Sequence, residues 1–300
     1  MTDRYRRGNS GQTCRRPIKM AAALAAAGLL ITACNGRAPI AAPSPHSPSP
    51  QSPRTPDASP RATRQGAAGG GGTSSRAPAP EPLAGKIVGI DPGHNGLNHS
   101  DPAFLSRQIW NGRESESCDT TGAQTDSGYT EARFNFNVAT YLRADLRRDG
   151  ARVVMTRADN HGLGPCVDRR AEIINQSHAN VAIDIHADGG PPSGRGFTVL
   201  EPIADGPNDK VINSSVRFGS YVRSAFLVGT PIPTSDYYGQ NGIIFRDDLA
   251  GLNLTTVPKV LIECGNMRNA TDAALLATAS VQRRIARALA AAIIRFLTGH

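Results

Sequence analysis

Residues 181–186 read Val-Ala-Ile-Asp-Ile-His. This short and mostly apolar run is typical of a strand that is buried on both faces of a sheet. A helical pattern over residues 167–178 precedes it directly. Because a helix followed by a buried strand belongs to a β-α-β rhythm, the run predicts an α/β domain.

The same alternation continues in both directions along the chain. Before the run, the pattern predicts a strand at 86–91, a helix from 130 to about 150 and a strand at 152–156. After it, the pattern predicts strands at 197–200 and 260–263, a helix at 216–226 and a terminal helix to about 297. These elements imply one α/β domain at 85–300, with a mostly parallel central sheet flanked by helices.

The first 84 residues divide into two segments that lack the composition of a folded core. Residues 1–33 carry six basic residues and one acidic residue, and end in an apolar run at 21–33. A basic segment followed by such a run predicts a secretory signal peptide, since about 20 apolar residues are needed to span a bilayer. Residues 34–84 are dominated by Pro, Ser, Ala and Gly, which predicts a disordered linker.

The apolar run ends in Ile31-Thr32-Ala33-Cys34, which resembles a bacterial lipobox. In such a signal the cysteine is lipid-modified and becomes the first residue of the mature lipoprotein. We therefore expect Cys34 to anchor an exported protein to the membrane of the cell envelope. The alternative is ordinary cleavage near the same small residues, which would release a secreted enzyme.

The formal net charge of +8 does not indicate a nucleic-acid partner. Residues 1–33 hold an excess of five basic residues, and residues 34–84 hold an excess of three. The remaining residues, 85–300, are therefore neutral overall. A folded domain without excess positive charge lacks the electrostatic footprint of a nucleic-acid-binding protein.

Three motifs in the folded segment carry side chains that bind metals. They are Asp91-Pro92-Gly93-His94, Gly128-Tyr129-Thr130-Glu131 and Asp184-Ile185-His186-Ala187-Asp188. Two histidines and one glutamate form a ligand set of catalytic zinc, with the fourth position open to water. Taken singly, a histidine at a strand end or a glutamate at a helix start is more often structural. The set of three predicts one Zn²⁺ ion bound by His94, Glu131 and His186.

Glu263 is the candidate general base. Zinc makes water easier to deprotonate and polarises a carbonyl group, but amide hydrolysis also needs a side chain that moves protons. Glu263 ends a predicted strand that should run beside the strand of His186, and Gly265 after it should allow a sharp turn. In open α/β sheets, ligands bind beyond such strand ends.

The whole set resembles the zinc-dependent N-acetylmuramoyl-L-alanine amidases of the amidase 3 type. The matching residues are Asp91-Pro92-Gly93-His94, Glu131, Arg170, Asn175, His186-Ala187-Asp188 and Leu261-Ile262-Glu263-Cys264-Gly265. The resemblance implies a zinc-peptidase-like sandwich with a mixed sheet, zinc bound by His94, Glu131 and His186, and Glu263 as the catalytic glutamate. It also implies cleavage of the amide between muramic acid and L-alanine in peptidoglycan. The polar insertion at 99–127 departs from the family pattern.

Two cysteines, Cys118 in the insertion and Cys166 at the start of a helix, should meet an oxidising compartment after export. A disulfide between them is the expectation, and two unpaired thiols are the alternative. Cys264 follows Glu263 on a buried strand, where alternation should turn it away from the site as a small core residue. Arg170 and Asn175 could simply brace a helix, and Asp188 could orient a ligand or cap a turn.

The sequence therefore favours an exported, monomeric peptidoglycan amidase that acts on polymer or muropeptide substrate. One alternative is a zinc peptidase or deacylase that acts on another amide. Another is a non-catalytic wall-binding regulator, whose signature would be the loss of a metal ligand. None of His94, Glu131 and His186 is lost in this chain.

Overall fold

The computed structural model describes residues 81–299. The predicted signal peptide at 1–33, the predicted lipidation site Cys34 and most of the predicted linker lie outside these residues. Within the described part of the chain, no helix has both the length and the apolar character needed to cross a membrane.

The folded chain begins earlier than its composition indicates. Leu83, which the sequence places in the linker, is fully buried in the main hydrophobic core. Its backbone N–H donates a hydrogen bond to the carbonyl oxygen of Asp149 at 2.9 Å, just after a long helix. The packed domain therefore includes Leu83, two residues before the expected start at Gly85.

Strands and helices alternate through the described residues. The strands are β1 (Ile87–Pro92), β2 (Gln108–Trp110), β3 (Ser115–Ser117), β4 (Arg152–Met155), β5 (Val181–Asp188), β6 (Thr198–Pro202), β7 (Ile243–Arg246) and β8 (Lys259–Asn266). The helices are α1 (Pro102–Leu105), α2 (Glu131–Arg148), α3 (Val167–Gln176), α4 (Ile212–Gly229), α5 (Ala250–Asn253), α6 (Ala270–Leu276) and α7 (Ala279–Thr298). Short 3₁₀ turns lie at Asn98–Ser100 and Asp209–Val211.

A six-stranded mixed sheet forms the centre of the domain, in the order β4-β1-β5-β8-β6-β7. Strands β4, β1, β5 and β8 are mutually parallel. Strand β6 runs antiparallel to β8, and β7 at the edge is parallel to β6. The predicted α/β domain with a mostly parallel central sheet flanked by helices is thus confirmed.

The two faces of the sheet differ in chemistry. Side chains at alternate positions, such as Ile183 and Ile185, join the main core with residues of α2, α4 and α7. The intervening positions include the polar residues Asp184 and His186 of β5 and Lys259 and Glu263 of β8, on the face covered by α3 and α5. Because successive residues of a strand point to opposite faces of the sheet, one face packs against the main core and the other carries the site residues.

The polar insertion at 99–127 contains helix α1 and a small hairpin. Strands β2 and β3 pair antiparallel and stay separate from the central sheet. The predicted terminal helix is in fact two helices, α6 and α7, with a break at Ala277 and Thr278. Asn269 begins α6 by accepting hydrogen bonds from two backbone N–H groups of its first turn.

Candidate active site

Three side chains from separate elements meet at the carboxyl end of the parallel strands. His94 lies two residues after β1, Glu131 is the first residue of α2, and His186 lies near the end of β5. Their ligand atoms all lie within 4.8 Å of one another, close enough to hold one metal ion. The fold thus brings together the three residues that the sequence predicts as metal ligands.

Glu131 occupies the centre of this group. Its Oε1 lies 2.9 Å from His186 Nδ1 and 3.2 Å from His94 Nε2. Its carboxylate also accepts hydrogen bonds from the backbone N–H groups of Ala123 at 2.7 Å and Ala187 at 3.2 Å. These backbone donors fix the carboxylate between the two imidazole rings.

The second nitrogen of His94 is already engaged. Its Nδ1 lies 3.0 Å from Asp119 Oδ1 and 3.2 Å from the carbonyl oxygen of Thr120. Both of those atoms are acceptors, so Nδ1 must carry the proton and donate it. In the neutral imidazole, Nε2 therefore presents a lone pair toward Glu131.

This donor arrangement fits a divalent cation. Burial opposes a charge on His94, but Glu131 and the bond to Asp119 outweigh it and raise the pKa of His94 well above its ordinary value. Burial would raise the pKa of Glu131, yet the two histidines hold it well below its ordinary value. Positive charge is therefore strongly favoured between these groups, and two imidazoles with one carboxylate are ligands that zinc accepts.

Glu263 lies directly beside the metal-ligand group. It pairs with His186 across the parallel strands β5 and β8. Its Oε2 is buried and has no hydrogen-bond partner among the described residues. Burial, with help from the negative charges of Glu131 and Asp188, raises the pKa of Glu263 to about 8 despite the opposing effect of His186. A carboxyl group that gains and loses protons near neutral pH suits general acid–base chemistry.

Gly265 does not make the sharp turn that the sequence predicts. Strand β8 continues to Asn266, and its register against β5 shifts by one residue between the His186–Glu263 pair and the Asp188–Asn266 pair. Gly265 lies in that shift with a φ of 154°. A β-bulge of this kind re-aims neighbouring side chains at a site. Cys264 is buried in the main core on the opposite face, as predicted.

An open cleft of about 450 Å³ gives access to the site. His94, Glu131, His186 and Glu263 line its floor. Arg246 lies on one wall and is held by Asp248, with Nε and Oδ1 2.6 Å apart. The cleft therefore combines a metal-ligand group, a candidate base and a guanidinium group.

A buried ionic network lies beneath the site. Arg170 Nη1 lies 2.7 Å from Asp91 Oδ1, and Lys259 Nζ lies 3.4 Å from Asp91 Oδ2 and 3.2 Å from Asp184 Oδ2. Burial opposes ionisation of Asp91, but Arg170 and Lys259 outweigh it and hold the pKa of Asp91 well below its usual range. All four residues are nearly inaccessible to water.

Arg170, Asn175 and Asp188, whose roles the sequence leaves open, make different contacts in the structure. Arg170 donates to the carbonyl oxygen of His94 at 2.8 Å, so it reaches the metal-ligand loop itself. Asn175, on α3, donates to the carbonyl oxygen of Leu254 at 2.9 Å and accepts from the backbone N–H of Thr256 at 2.8 Å, so it braces the segment after α5. Asp188, the last residue of β5, accepts hydrogen bonds from the backbone N–H of Gly189 at 2.6 Å and from the hydroxyl of Tyr237 at 2.7 Å.

Cys118 and Cys166 form a disulfide bond that closes a separation of 48 residues. The predicted pairing is therefore present, and it joins the insertion to the start of α3. Among the described residues, Cys264 is the free cysteine.

A family model supplies the identification. The model described as N-acetylmuramoyl-L-alanine amidase, of the amidase 3 type, matches residues 88–295. The chain belongs to this family. The match spans every strand of the central sheet and all of the candidate site residues.

Relatives of the amidase 3 domain agree with this assignment. An N-acetylmuramoyl-L-alanine amidase of Mycobacterium tuberculosis is 41% identical over 231 residues, which cover 75% of this chain and 91% of the relative. The crystal structure of the amidase Ami1 from Mycobacterium smegmatis matches with a TM-score of 0.68 and 40% identity, over 73% of this chain and 99% of that one. Ami1 from Mycobacterium abscessus matches with the same TM-score and 39% identity, over 72% of this chain and 100% of that one.

The sequence leaves two contributors to the amidase 3 site unassigned. Asp119 bonds a predicted metal ligand, and Lys259 neutralises the buried acids beneath the site. In the sequence, only the position of Asp119 directly after Cys118 indicates that it could lie near the site. Nothing in the sequence indicates a buried role for Lys259, because a lysine at the start of a strand is usually exposed. Both contacts depend on residues far apart in the chain.

Proposed function

We propose that this chain is an exported, zinc-dependent peptidoglycan hydrolase that cleaves the amide between the lactyl group of N-acetylmuramic acid and L-alanine. The observation that carries the proposal is the convergence of His94, Glu131 and His186 beside Glu263 in an open cleft. Membership of the amidase 3 family supports the choice of bond.

His94, Glu131 and His186 would hold the zinc ion. When bound, the ion would supply Lewis acidity, polarising the substrate carbonyl and making a water molecule easier to deprotonate. The backbone N–H groups of Ala123 and Ala187 keep Glu131 in place. Zinc is preferred over magnesium or calcium, since those ions favour sites made only of oxygen ligands.

Glu263 would move the protons. Its carboxylate removes a proton from the attacking water as the new C–O bond forms at the lactyl carbonyl carbon. It then donates that proton to the alanine nitrogen as the C–N bond breaks. The unpaired, buried Oε2 of Glu263 supports this role because no other described side chain competes for its lone pairs.

The cleft fits an extended substrate better than an enclosed small molecule. It is open along one side, and its lining is mostly polar. Peptidoglycan presents sugar and peptide on the two sides of the scissile amide, so both must extend beyond the reacting atoms. All of the proposed ligands and Glu263 come from one chain, so a monomer suffices.

Export to the cell envelope completes the proposal. The signal peptide at 1–33 would direct export and be removed, and the lipid anchor at Cys34 with the linker at 34–84 would then hold the enzyme beside its substrate. The disulfide between Cys118 and Cys166 supports a destination outside the cytosol, where disulfides persist.

Mass spectrometry of a defined muropeptide incubated with the full-length, zinc-loaded protein tests the chemistry. We expect release of the intact stem peptide from muramic acid, and loss of that release when a chelator removes the metal. The variant Glu263→Gln tests the proposed base. Its matched control is Glu172→Gln, because Glu172 is exposed on α3. Cleavage within the peptide would indicate a zinc peptidase, and a folded, zinc-loaded protein without any cleavage would indicate a regulator.

A further inference from the structure

His94 is the metal-ligand candidate with the weakest backbone support. It lies outside the regular strand, and its φ of 56° is in the left-handed region that residues other than glycine seldom adopt. Such a conformation persists only where surrounding contacts enforce it. Its backbone is held by a contact from a distant part of the chain, the hydrogen bond from Arg170 to its carbonyl oxygen.

Asp119 makes the shorter of two contacts that engage Nδ1 of the His94 ring, and the carbonyl oxygen of Thr120 makes the other at 3.2 Å. The Oδ1 of Asp119 lies 3.0 Å from His94 Nδ1, which leaves Nε2 facing Glu131. The carboxylate itself is held in turn. Oδ1 accepts from the backbone N–H of Thr120 at 2.7 Å, and Oδ2 accepts from Asn95 Nδ2 at 3.1 Å. Only 6% of Asp119 is exposed, so solvent does not compete for these bonds.

The disulfide clamps this arrangement from two sides. Cys118 directly precedes Asp119, and Cys166 directly precedes α3. The backbone N–H of Val167 also donates to the carbonyl oxygen of Cys118 at 2.9 Å. Helix α3 carries Arg170, whose Nη2 donates to the carbonyl oxygen of His94 at 2.8 Å. One covalent bond therefore links the support of the His94 ring to the support of its backbone.

We propose that Asp119 is a positioning residue that fixes His94 for metal binding through Nε2, and that the Cys118–Cys166 disulfide holds Asp119 in place. A ring that is free to rotate would present either nitrogen, and the three donors would no longer converge. Partners of this kind around metal-binding histidines typically change metal affinity by about 10–100-fold when they are removed. The inference rests on the proposed metal site.

The first test is the equilibrium zinc affinity of the full-length protein, measured by competition with a chromophoric chelator. We expect Asp119→Ala to weaken zinc binding by about 10–100-fold, and Asp119→Asn to weaken it less because its amide oxygen still accepts from Nδ1. Asp126 is exposed in the same insertion, and Asp126→Ala is expected to bind zinc as the unmodified protein does. Circular-dichroism melting identifies which variants are folded.

A spectroscopic test separates positioning from general stability. In the zinc-loaded protein, the Nδ1 proton of His94 is expected to give a slowly exchanging NMR resonance because Asp119 shields and binds it. Asp119→Ala should abolish that resonance while the resonances of the main core are unchanged. Persistence of the slowly exchanging proton in Asp119→Ala would overturn the assignment.

The disulfide is tested by the double variant Cys118→Ser/Cys166→Ser. It retains Asp119, and we expect zinc affinity to fall in the same direction as in Asp119→Ala. Unchanged affinity in the folded double variant would overturn the role of the disulfide, and unchanged affinity in Asp119→Ala would overturn the role of Asp119. A parent protein that takes up no zinc would instead overturn the proposed function, and this inference with it.

Discussion

His94 and His186 face the same carboxylate but are held there in different ways. His186 belongs to β5, which lies between β1 and β8; its position is fixed by pairing with Glu263 of β8 and by the preceding residue, Ile185, which pairs with β1. His94 follows β1 on an irregular segment and depends on Asp119, Arg170 and a disulfide. The sheet thus positions one ligand directly, whereas side chains that are distant in sequence position the other.

Because the two histidines are held in different ways, mutations near each of them should change different properties of the protein. Changes near His186 should alter proton transfer, because Glu263 is its partner across the strands. Changes near His94 should alter stability and metal affinity, because its supports are buried ionic and covalent links. The two kinds of effect are measurable separately.

The largest effect is expected on the His186 side, from Glu263→Gln. The amide keeps the shape of the side chain but cannot accept and return a proton, so turnover should fall by about 10²–10⁴-fold. Zinc content, measured by metal analysis, should not change, since Glu263 is outside the ligand set. Loss of zinc together with activity would contradict the division between the two sides.

On the His94 side, Arg170→Met is expected to lower the free energy of unfolding by about 3–5 kcal/mol. The substitution leaves the buried carboxylate of Asp91 without its nearest cation. Denaturant unfolding provides the measurement. The neighbouring Arg169 is exposed on the same helix, and Arg169→Met should leave stability nearly unchanged.

Equal losses in the two arginine variants would show that helix propensity, not the buried network, sets the stability of this region. Retention of full stability by Arg170→Met would remove the network from the explanation of how His94 is held.

The double variant Cys118→Ser/Cys166→Ser is expected to lose about 2–4 kcal/mol of stability, since the disulfide restricts a long loop of the unfolded chain. Thermal unfolding with and without a phosphine reductant checks this. The reductant should destabilise the parent protein to the level of the double variant and leave the double variant unchanged. If the reductant does not change the stability of the parent protein, the expected contribution of the disulfide to stability is contradicted.

Glu201 is a buried acid that lies outside the surroundings of His94 and of His186, and its pKa can be compared with that of Asp91. Glu201 on β6 is 1% exposed, and its Oε1 has no hydrogen-bond partner among the described residues. Helix α4 can approach it only because residue 219 is glycine, where a Cβ would lie 2.2 Å from that oxygen. Burial raises the pKa of Glu201 to about 7, unlike that of Asp91.

Because the folded state holds this proton more tightly than the unfolded state, the contribution of Glu201 to stability should be largest at low pH. It should decrease as the pH rises from about 4.5 to about 7, by at most about 3 kcal/mol. Unfolding measured across this range in the parent protein and in Glu201→Gln isolates the contribution. An identical pH dependence in both would show that Glu201 ionises freely.

The sequence predicts the parts of the molecule that repeat a strong pattern. The apolar runs of β1, β5 and β8 indicate buried strands, and His94, His186 and the candidate base Glu263 lie at or near their carboxyl ends. Strand β7 and the hairpin β2–β3 are three or four residues long and are not predicted from the sequence, whereas β4, a strand of four residues at the other edge of the sheet, is predicted. Short strands are stabilised by their partners rather than by their own pattern.

The supports of the site escape prediction for a different reason. Asp119 and Arg170 act through contacts between residues that are 25 and 76 positions apart in sequence. Spacing along the chain carries no signal for such contacts. Their roles become visible only when the fold brings the insertion, β1 and α3 together.

Hydrolysis of a defined muropeptide in ¹⁸O-labelled water tests the proposed bond most directly. Attack of water at the lactyl carbonyl would place one labelled oxygen in the carboxylate of the muramic acid product and none in the released stem peptide. We predict that labelling pattern, with its dependence on Glu263. Label in a carboxyl group of the peptide would contradict it, because that result would show cleavage of a peptide bond instead.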